Sequence, residues 1–168
     1  MRLRAIALFA LSLACIHRGP ASTVANPYTV EELRQGCRTR VIDYRFEQPG
    51  QPPRIERWSF AEINPETVDV TTLPVDEQGQ AAGIPQTQSS TWAELHTHAD
   101  FPPGTSALEE KLEIPAGTFD TTRYTFEKNG ETRTAWFAHG LAGPPVKMLV
   151  AKEGKPVMEM TMLSTHAK

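Results

Sequence analysis

The sequence lacks several features that would place it in a functional class. Outside the N-terminus, its apolar runs are far too short to cross a bilayer as a helix. Its 17 basic and 20 acidic residues give a formal net charge of −3, and the lysines and arginines are scattered along the chain. Because it has neither a basic block nor a recognised reader motif, we do not expect nucleic acid to be a partner.

Catalytic motifs are also missing. We find no His-Glu-x-x-His zinc motif, no Gly-x-Ser-x-Gly nucleophile elbow and no glycine-rich phosphate loop. No internal repeat or low-complexity block is visible either. The sequence therefore favours a protein that is not an enzyme, with no catalytic residues and no cofactor.

The N-terminus has the three parts of a signal peptide. Residues 1–4 are basic, residues 5–14 form an uncharged apolar run, and a polar stretch with Gly19 and Pro20 follows. The apolar run is too short to span a membrane. We predict a signal peptide over residues 1–14 of an exported bacterial protein.

The end of that segment resembles the lipobox of bacterial lipoproteins. Leu13 and Ala14 precede Cys15, the residue whose thiol would accept a diacylglycerol. The resemblance implies that Cys15 is the lipidation site and that the lipid anchors the protein to a membrane. Because Ile16 and His17 do not form an acidic retention signal, the outer membrane is mildly preferred. The alternative is ordinary cleavage after residue 21 or residue 25, which would release the protein to the periplasm or the exterior.

Cys37 is the only other cysteine. In an oxidising compartment an odd cysteine is either a free thiol or pairs between chains. We expect Cys37 to be a small buried apolar residue.

The rest of the chain divides into a tether and one domain. Residues 15–27 carry few large apolar groups and form the predicted flexible tether, and residues 28–168 form a single β-rich domain. Two short helices are predicted, over residues 29–36 and 91–98. Each begins at a threonine with a glutamate three residues later, the pattern of a capping box. Gly36 is expected to end the first helix.

Alternating polarity predicts about eight strands joined by short turns, and hence an antiparallel sheet. Ile42, Tyr44 and Phe46 alternate with polar residues along the first strand, and Asn129 and Gly130 are typical of a tight hairpin. Residues 86–90 are polar on both faces, so this strand is expected at an edge. The remaining strands are predicted at residues 54–63, 68–72, 107–114, 119–127, 131–137, 146–150 and 157–163.

One stretch resembles a known group of proteins. Glu-Ile-Pro-Ala-Gly-Thr-Phe at residues 113–119 is followed in order by Tyr124, Asn129-Gly130, Trp-Phe-Ala at 136–138 and Pro-Val-Lys-Met at 145–148. This pattern is similar to the C-terminal part of exported bacterial proteins of unknown function whose curved antiparallel sheet is like that of periplasmic lipoprotein carriers. The resemblance implies a mainly β (α+β) fold, a single curved sheet or open half-barrel, and no catalytic residues.

A curved sheet has one concave face that must be filled by side chains, by helices or by a ligand. The two short helices are the available covers, and a gap between them would leave a groove for a hydrophobic ligand. The aromatic residues and the row of Met158, Met160 and Met162 are expected to form the core.

His96, His98 and Asp100 are weak candidates for a metal site, because imidazole and carboxylate are zinc ligands. On a strand all three would share a face. On the predicted helix His98 points away from the other two, which favours a solvated helix end. His139 has no evident catalytic partner, and Glu109 and Glu113 look like a solvated strand edge.

The sequence therefore predicts an exported cell-envelope lipoprotein that acts as a non-catalytic binding or scaffold module. Its expected partners are the membrane, through the lipid, and a hydrophobic ligand or an envelope protein. One alternative is a metal-dependent envelope enzyme that uses His96, His98 and Asp100. Another is a purely structural module whose sheet edge near residues 84–91 pairs with a partner.

Overall fold

The structure, a computed structural model, describes residues 24–167. The predicted signal peptide, Cys15 and most of the predicted tether lie outside this range. No helix among the described residues is both long enough and apolar enough to cross a membrane.

The described chain folds into one open antiparallel sheet of nine strands with two short helices, which confirms the predicted fold class. The spatial order is β4-β3-β2-β1-β9-β8-β7-β6-β5, so the first and last strands pair at the centre. The stated estimate of about eight strands is one short, but the nine ranges predicted from the sequence each correspond to one of the nine strands. In chain order the elements are α1 (Val30–Cys37), β1 (Arg40–Glu47), β2 (Arg54–Glu62), β3 (Thr67–Val75), β4 (Gln86–Thr91), α2 (Trp92–Thr97), β5 (Ser106–Ile114), β6 (Gly117–Lys128), β7 (Glu131–Ala138), β8 (Lys147–Lys152) and β9 (Lys155–Ala167).

Both helices begin with the capping box that the sequence predicts. The backbone N–H of Glu32 donates to the Thr29 hydroxyl (3.2 Å), and the N–H of Thr29 donates to the Glu32 carboxylate (2.7 Å). Thr91 and Glu94 repeat this exchange at α2, with distances of 3.1 and 2.9 Å. Because each carboxylate accepts backbone N–H groups, the pKa values of Glu32 and Glu94 lie below their ordinary value.

Gly36 does not end α1, contrary to the sequence prediction. The helix continues through Cys37, with Arg38 as its C-cap. The glycine is instead required by a close approach, because a Cβ atom at position 36 would lie 2.2 Å from the carbonyl oxygen of Ala142. A glycine that permits close packing and a glycine that terminates a helix look the same in sequence.

The alternation along β1 gives the sheet one covered face. Ile42, Tyr44 and Phe46 are buried, and in the ladder with β9 Tyr44 lies opposite Met162 and Phe46 opposite Met160. We call the sheet face that carries these side chains the inner face. The prediction that this part of the methionine row belongs to the core is confirmed.

The edge and the tight hairpin are also as predicted. The polar strand β4 ends the sheet on one side and β5 ends it on the other. Asn129 and Gly130 both have positive φ, at 56° and 75°, as a two-residue hairpin requires. The strand predicted at residues 68–72 runs on through Pro74, which is tolerated because β4 pairs with β3 only as far as Thr72.

Two groups of side chains cover the inner face. Leu33, Cys37 and Trp92 from the helix regions join the main core cluster with the central strands. A second cluster on β6 and β7 is covered by the segment that precedes α1 and by residues just after α2. Its members are Ala99, Tyr124, Ala135 and Phe137, packed against Val24, Tyr28, Phe101 and Met148. With these covers in place, all four members of the second cluster are buried.

Candidate functional site

An open cleft of about 750 Å³ lies at the border of the second cluster. Four parts of the chain enclose it: residues 24–28, α1 with the residues after it, the strands β5 to β7, and the loop that follows β7. The lining residues are Val24, Ala25, Asn26, Pro27, Tyr28, Glu32, Gln35, Gly36, Arg40, Ala107, Glu109, Thr122, Tyr124, Phe137, Ala138, His139, Gly140 and Ala142.

Aromatic rings form the floor of this cleft. The ring of Tyr28 meets Phe137 edge to face, with centroids 5.9 Å apart. Tyr124 meets the same phenylalanine edge to face at 5.7 Å, and the ring of Phe101 stacks on Tyr124 at 4.1 Å. Burial raises the pKa of Tyr28 and Tyr124 above the ordinary value for a phenol. The floor is therefore uncharged at neutral pH.

Arg40 supplies a positive charge at the border of the cleft. Its guanidinium donates to the carbonyl oxygen of Ala142 at 3.0 Å and is half-buried. Within residues 24–167 it forms no ion pair with a carboxylate. A guanidinium has five N–H donors, so most of its capacity is open to an anionic ligand.

Glu109, Thr122 and His139 form a polar group at another part of the border. The Thr122 hydroxyl donates to Glu109 at 2.7 Å and lies 3.0 Å from Nε2 of His139, which is 2.9 Å from the other Glu109 oxygen. A smaller cleft of about 370 Å³ adjoins the same glutamate and histidine.

This group does not have the arrangement of a catalytic triad. In a triad the imidazole uses one nitrogen for the nucleophile and the other for the orienting carboxylate. Here Nε2 of His139 faces both the Thr122 hydroxyl and the Glu109 carboxylate. Glu109 and His139 are exposed, so the group is suited to polar contacts with a ligand in solvent.

Sequence reasoning considered Glu109 and His139 separately and did not consider Thr122 or Arg40. The three polar residues come from β5, β6 and the loop after β7, and only the strand register brings them together. In that register Glu109 lies opposite Thr122, and Thr122 opposite Phe137. No spacing in the sequence signals this pairing.

The predicted metal candidates lie at the end of α2, where two of them hold the segment before α1. Nε2 of His96 is 2.9 Å from the carbonyl oxygen of Tyr28, and Asp100 accepts a hydrogen bond from the Asn26 side chain at 3.2 Å. His98 is the exposed C-cap residue of the helix. Among the described residues, no three His, Cys, Asp or Glu side chains are placed to hold a metal ion together.

Cys37 is buried, as the sequence predicts, and within residues 24–167 it forms no disulfide. Its sulfur lies 3.9 Å from the carbonyl oxygen of Ala142, beneath the loop that borders the cleft. Burial raises its pKa to about 12, so the group remains a neutral thiol at physiological pH.

Comparison with known proteins supports the fold and no more. No protein-family model and no curated protein sequence matches the chain. A crystal structure of a candidate lipoprotein from Parabacteroides distasonis is similar, with a TM-score of 0.51 and 7% identity over 78% of this chain and 96% of that one. MucB in the MucA/MucB complex of Pseudomonas aeruginosa gives a TM-score of 0.52 and 11% identity over 82% of this chain.

The chain spans 55% of the length of that MucB structure. Identities this low establish a shared architecture without establishing a shared activity. The resemblance to exported bacterial proteins with an open antiparallel sheet is thereby confirmed at the level of the fold.

Proposed function

We propose that this protein is a lipid-anchored, non-catalytic binding module of the cell envelope that holds a hydrophobic ligand with an anionic end in its cleft. The observation that carries the proposal is the lining of the cleft, which combines an uncharged aromatic floor with the unpaired guanidinium of Arg40. A cleft of about 750 Å³ lies within the range of small-molecule sites, about 300–1,000 Å³.

The two parts of the lining would act differently on such a ligand. The rings of Tyr28, Tyr124 and Phe137 would remove apolar ligand surface from water, which contributes about 25 cal/mol per Å² buried. Arg40 would supply charge-assisted hydrogen bonds to a carboxylate or phosphate, and these fix orientation. The exposed carboxylate of Glu109 would disfavour an anion at its part of the border and so set the direction in which the ligand lies.

The proposed anchor is the lipidated Cys15, with the outer membrane preferred. Eight residues lie between Cys15 and Val24, where the chain reaches the cleft, and the nine Cα-to-Cα steps that join these two residues span at most about 30 Å. The cleft would therefore stay within about 30 Å of the membrane surface. That distance suits the exchange of a hydrophobic ligand with the bilayer or with an envelope protein.

The cleft can be tested by filling it from β5. Ala107 lines the cleft, and the adjacent Leu108 points to the opposite face of the sheet with 51% of its surface exposed. We expect native mass spectrometry of protein extracted from membranes to show a co-purifying ligand that Ala107→Trp displaces and Leu108→Trp retains. A wild-type protein without bound ligand, or equal retention by both variants, would contradict the proposal.

Two further variants separate charge from anchoring. Arg40→Gln should weaken ligand retention without loss of the folded protein, because Arg40 makes only one hydrogen bond within the described chain. Cys15→Ala should move the protein from the membrane fraction to a soluble or unprocessed form. Unchanged membrane attachment of Cys15→Ala would refute the proposed anchor. The proposed ligand site in the cleft is tested separately by the variants at Ala107, Leu108 and Arg40.

A further inference from the structure

The two edges of the sheet differ in how well they are protected against pairing. The edge strand β5 carries four charged residues among nine, an arrangement that discourages pairing with another strand. The edge strand β4 has the sequence Gln-Thr-Gln-Ser-Ser-Thr and no charge at all. Residues 86–89 are exposed, and β4 contains no proline. By these criteria β4 is the unprotected edge.

The backbone of β4 presents free hydrogen-bonding groups to solvent. The N–H of Trp92 donates inward to Glu66, and the N–H of Thr91 is capped by the Glu94 carboxylate. Because successive residues of a strand direct their N–H and C=O groups to opposite sides, Thr87 and Ser89 direct theirs away from β3. These two residues therefore offer two donors and two acceptors at the edge.

We propose that β4 pairs antiparallel with β4 of a second copy of this chain, about a two-fold axis at Gln88. In this register Thr87 of each copy lies opposite the other copy's residue 89, and each such pair exchanges two hydrogen bonds. The next outward-facing pair joins Thr91 to Pro85. Proline has no N–H, and the N–H of Thr91 is already bound by Glu94, so no donor is left unpaired at either end.

Two observations favour a second copy as the occupant. An uncharged strand such as β4 pairs with a second copy of itself without like-charge repulsion. The opposite edge strand β5 is rich in glutamate, so pairing it with itself would bring like charges together. Ile84, just before β4, is the most exposed large apolar residue in the described chain, at 84%. In the proposed register it lies opposite the start of the partner copy's α2, which would cover it from water.

A cysteine on the axis tests this register directly. Gln88 of each copy would form a non-hydrogen-bonded pair with a Cα separation of about 4.5 Å, inside the disulfide range of about 4.4–6.8 Å. We expect Gln88→Cys to form an intermolecular disulfide on mild oxidation, identified as a linked peptide by mass spectrometry. Leu108→Cys, which places an exposed thiol on the other edge, should not cross-link. The buried Cys37 does not compete.

Charge variants test the same axis without a covalent bond. Sedimentation of the full exported protein should show a dimer for the wild type and a monomer for both Gln88→Lys and Gln88→Glu, and mixing these two variants should restore the dimer. Circular dichroism would confirm that both variants remain folded. A monomeric wild type up to its solubility limit, a dimer that persists in Gln88→Lys, or equal cross-linking of Leu108→Cys would overturn the proposal.

Discussion

Gly36 offers a sharp test of how α1 packs on the loop after β7. Replacing this glycine by alanine should stabilise an unpacked helix by about 1 kcal/mol. In this fold the new Cβ would lie 2.2 Å from the carbonyl oxygen of Ala142, against an ordinary contact of 3.4 Å or more, so α1 or the loop must move by about 1 Å. The loop is held against this displacement because the N–H groups of His139 and Val146 donate hydrogen bonds to backbone carbonyl groups of β6 and β7.

Forced displacement of packed elements costs about 1–3 kcal/mol, and a backbone contact this short belongs at the upper end. Subtracting the gain in helix propensity, we expect Gly36→Ala to lower the free energy of unfolding by about 2 kcal/mol. With a typical m value of about 1.5 kcal/mol/M, the urea midpoint should fall by about 1.3 M.

The matched control is Gln35→Ala, an exposed position on the same helix, which should change stability by less than about 0.5 kcal/mol. Urea unfolding followed by tryptophan fluorescence measures both variants. If Gly36→Ala is as stable as the wild type or more so, helix propensity outweighs the contact with Ala142 and the packing argument fails.

Three further predictions concern titration, reactivity and an ion pair. The pKa values of Glu32 and Glu94 are lowered by folding from 4.5, so they stabilise the fold above that pH and lose this contribution as the pH falls below it. Between about pH 6 and about pH 3, the urea midpoint of the variant with both Glu32 and Glu94 replaced by glutamine should therefore fall less than that of the wild type. An equal fall in the two proteins would contradict the capping role. Cys37 should resist iodoacetamide at neutral pH in the folded protein and react fully in denaturant, whereas rapid labelling of the folded protein would show that the thiol is accessible. Arg57→Ala should cost about 2 kcal/mol because Arg57 makes two hydrogen bonds with Asp43, at 2.8 and 2.9 Å, and a double-mutant cycle with Asp43→Ala should give a clear coupling energy.

Local sequence signals predicted the elements well. Each threonine–glutamate pair at a helix start acts within four residues, so the chain needs no distant partner to form the cap. The turn at Asn129 and the polar character of β4 likewise follow from residues that are neighbours in the sequence. The prediction that Gly36 ends α1 was wrong because Ala142, whose carbonyl oxygen requires the glycine, lies far away in sequence.

The candidate site could not be predicted in the same way. Arg40 meets Ala142 across 102 positions, and His96 meets Tyr28 across 68. Glu109, Thr122 and His139 are separated by more than ten residues each, and only the register of β5, β6 and β7 brings their side chains within hydrogen-bonding distance. Such contacts depend on which strands pair, and a pattern of alternating polarity is the same for many pairings.

By itself, the sequence determined the turns, the helix caps, the alternation of buried residues and the uncharged character of β4, because each follows from interactions among neighbouring residues. It also predicts export through an N-terminal segment that lies outside the described residues. The tertiary structure alone decided that β1 pairs with β9, that residues 24–28 cover part of the inner face, and that a cleft with an aromatic floor and the guanidinium of Arg40 remains beside them. These features depend on the packing of distant segments, and burial and hydrogen bonding select that packing only once the whole sheet is assembled.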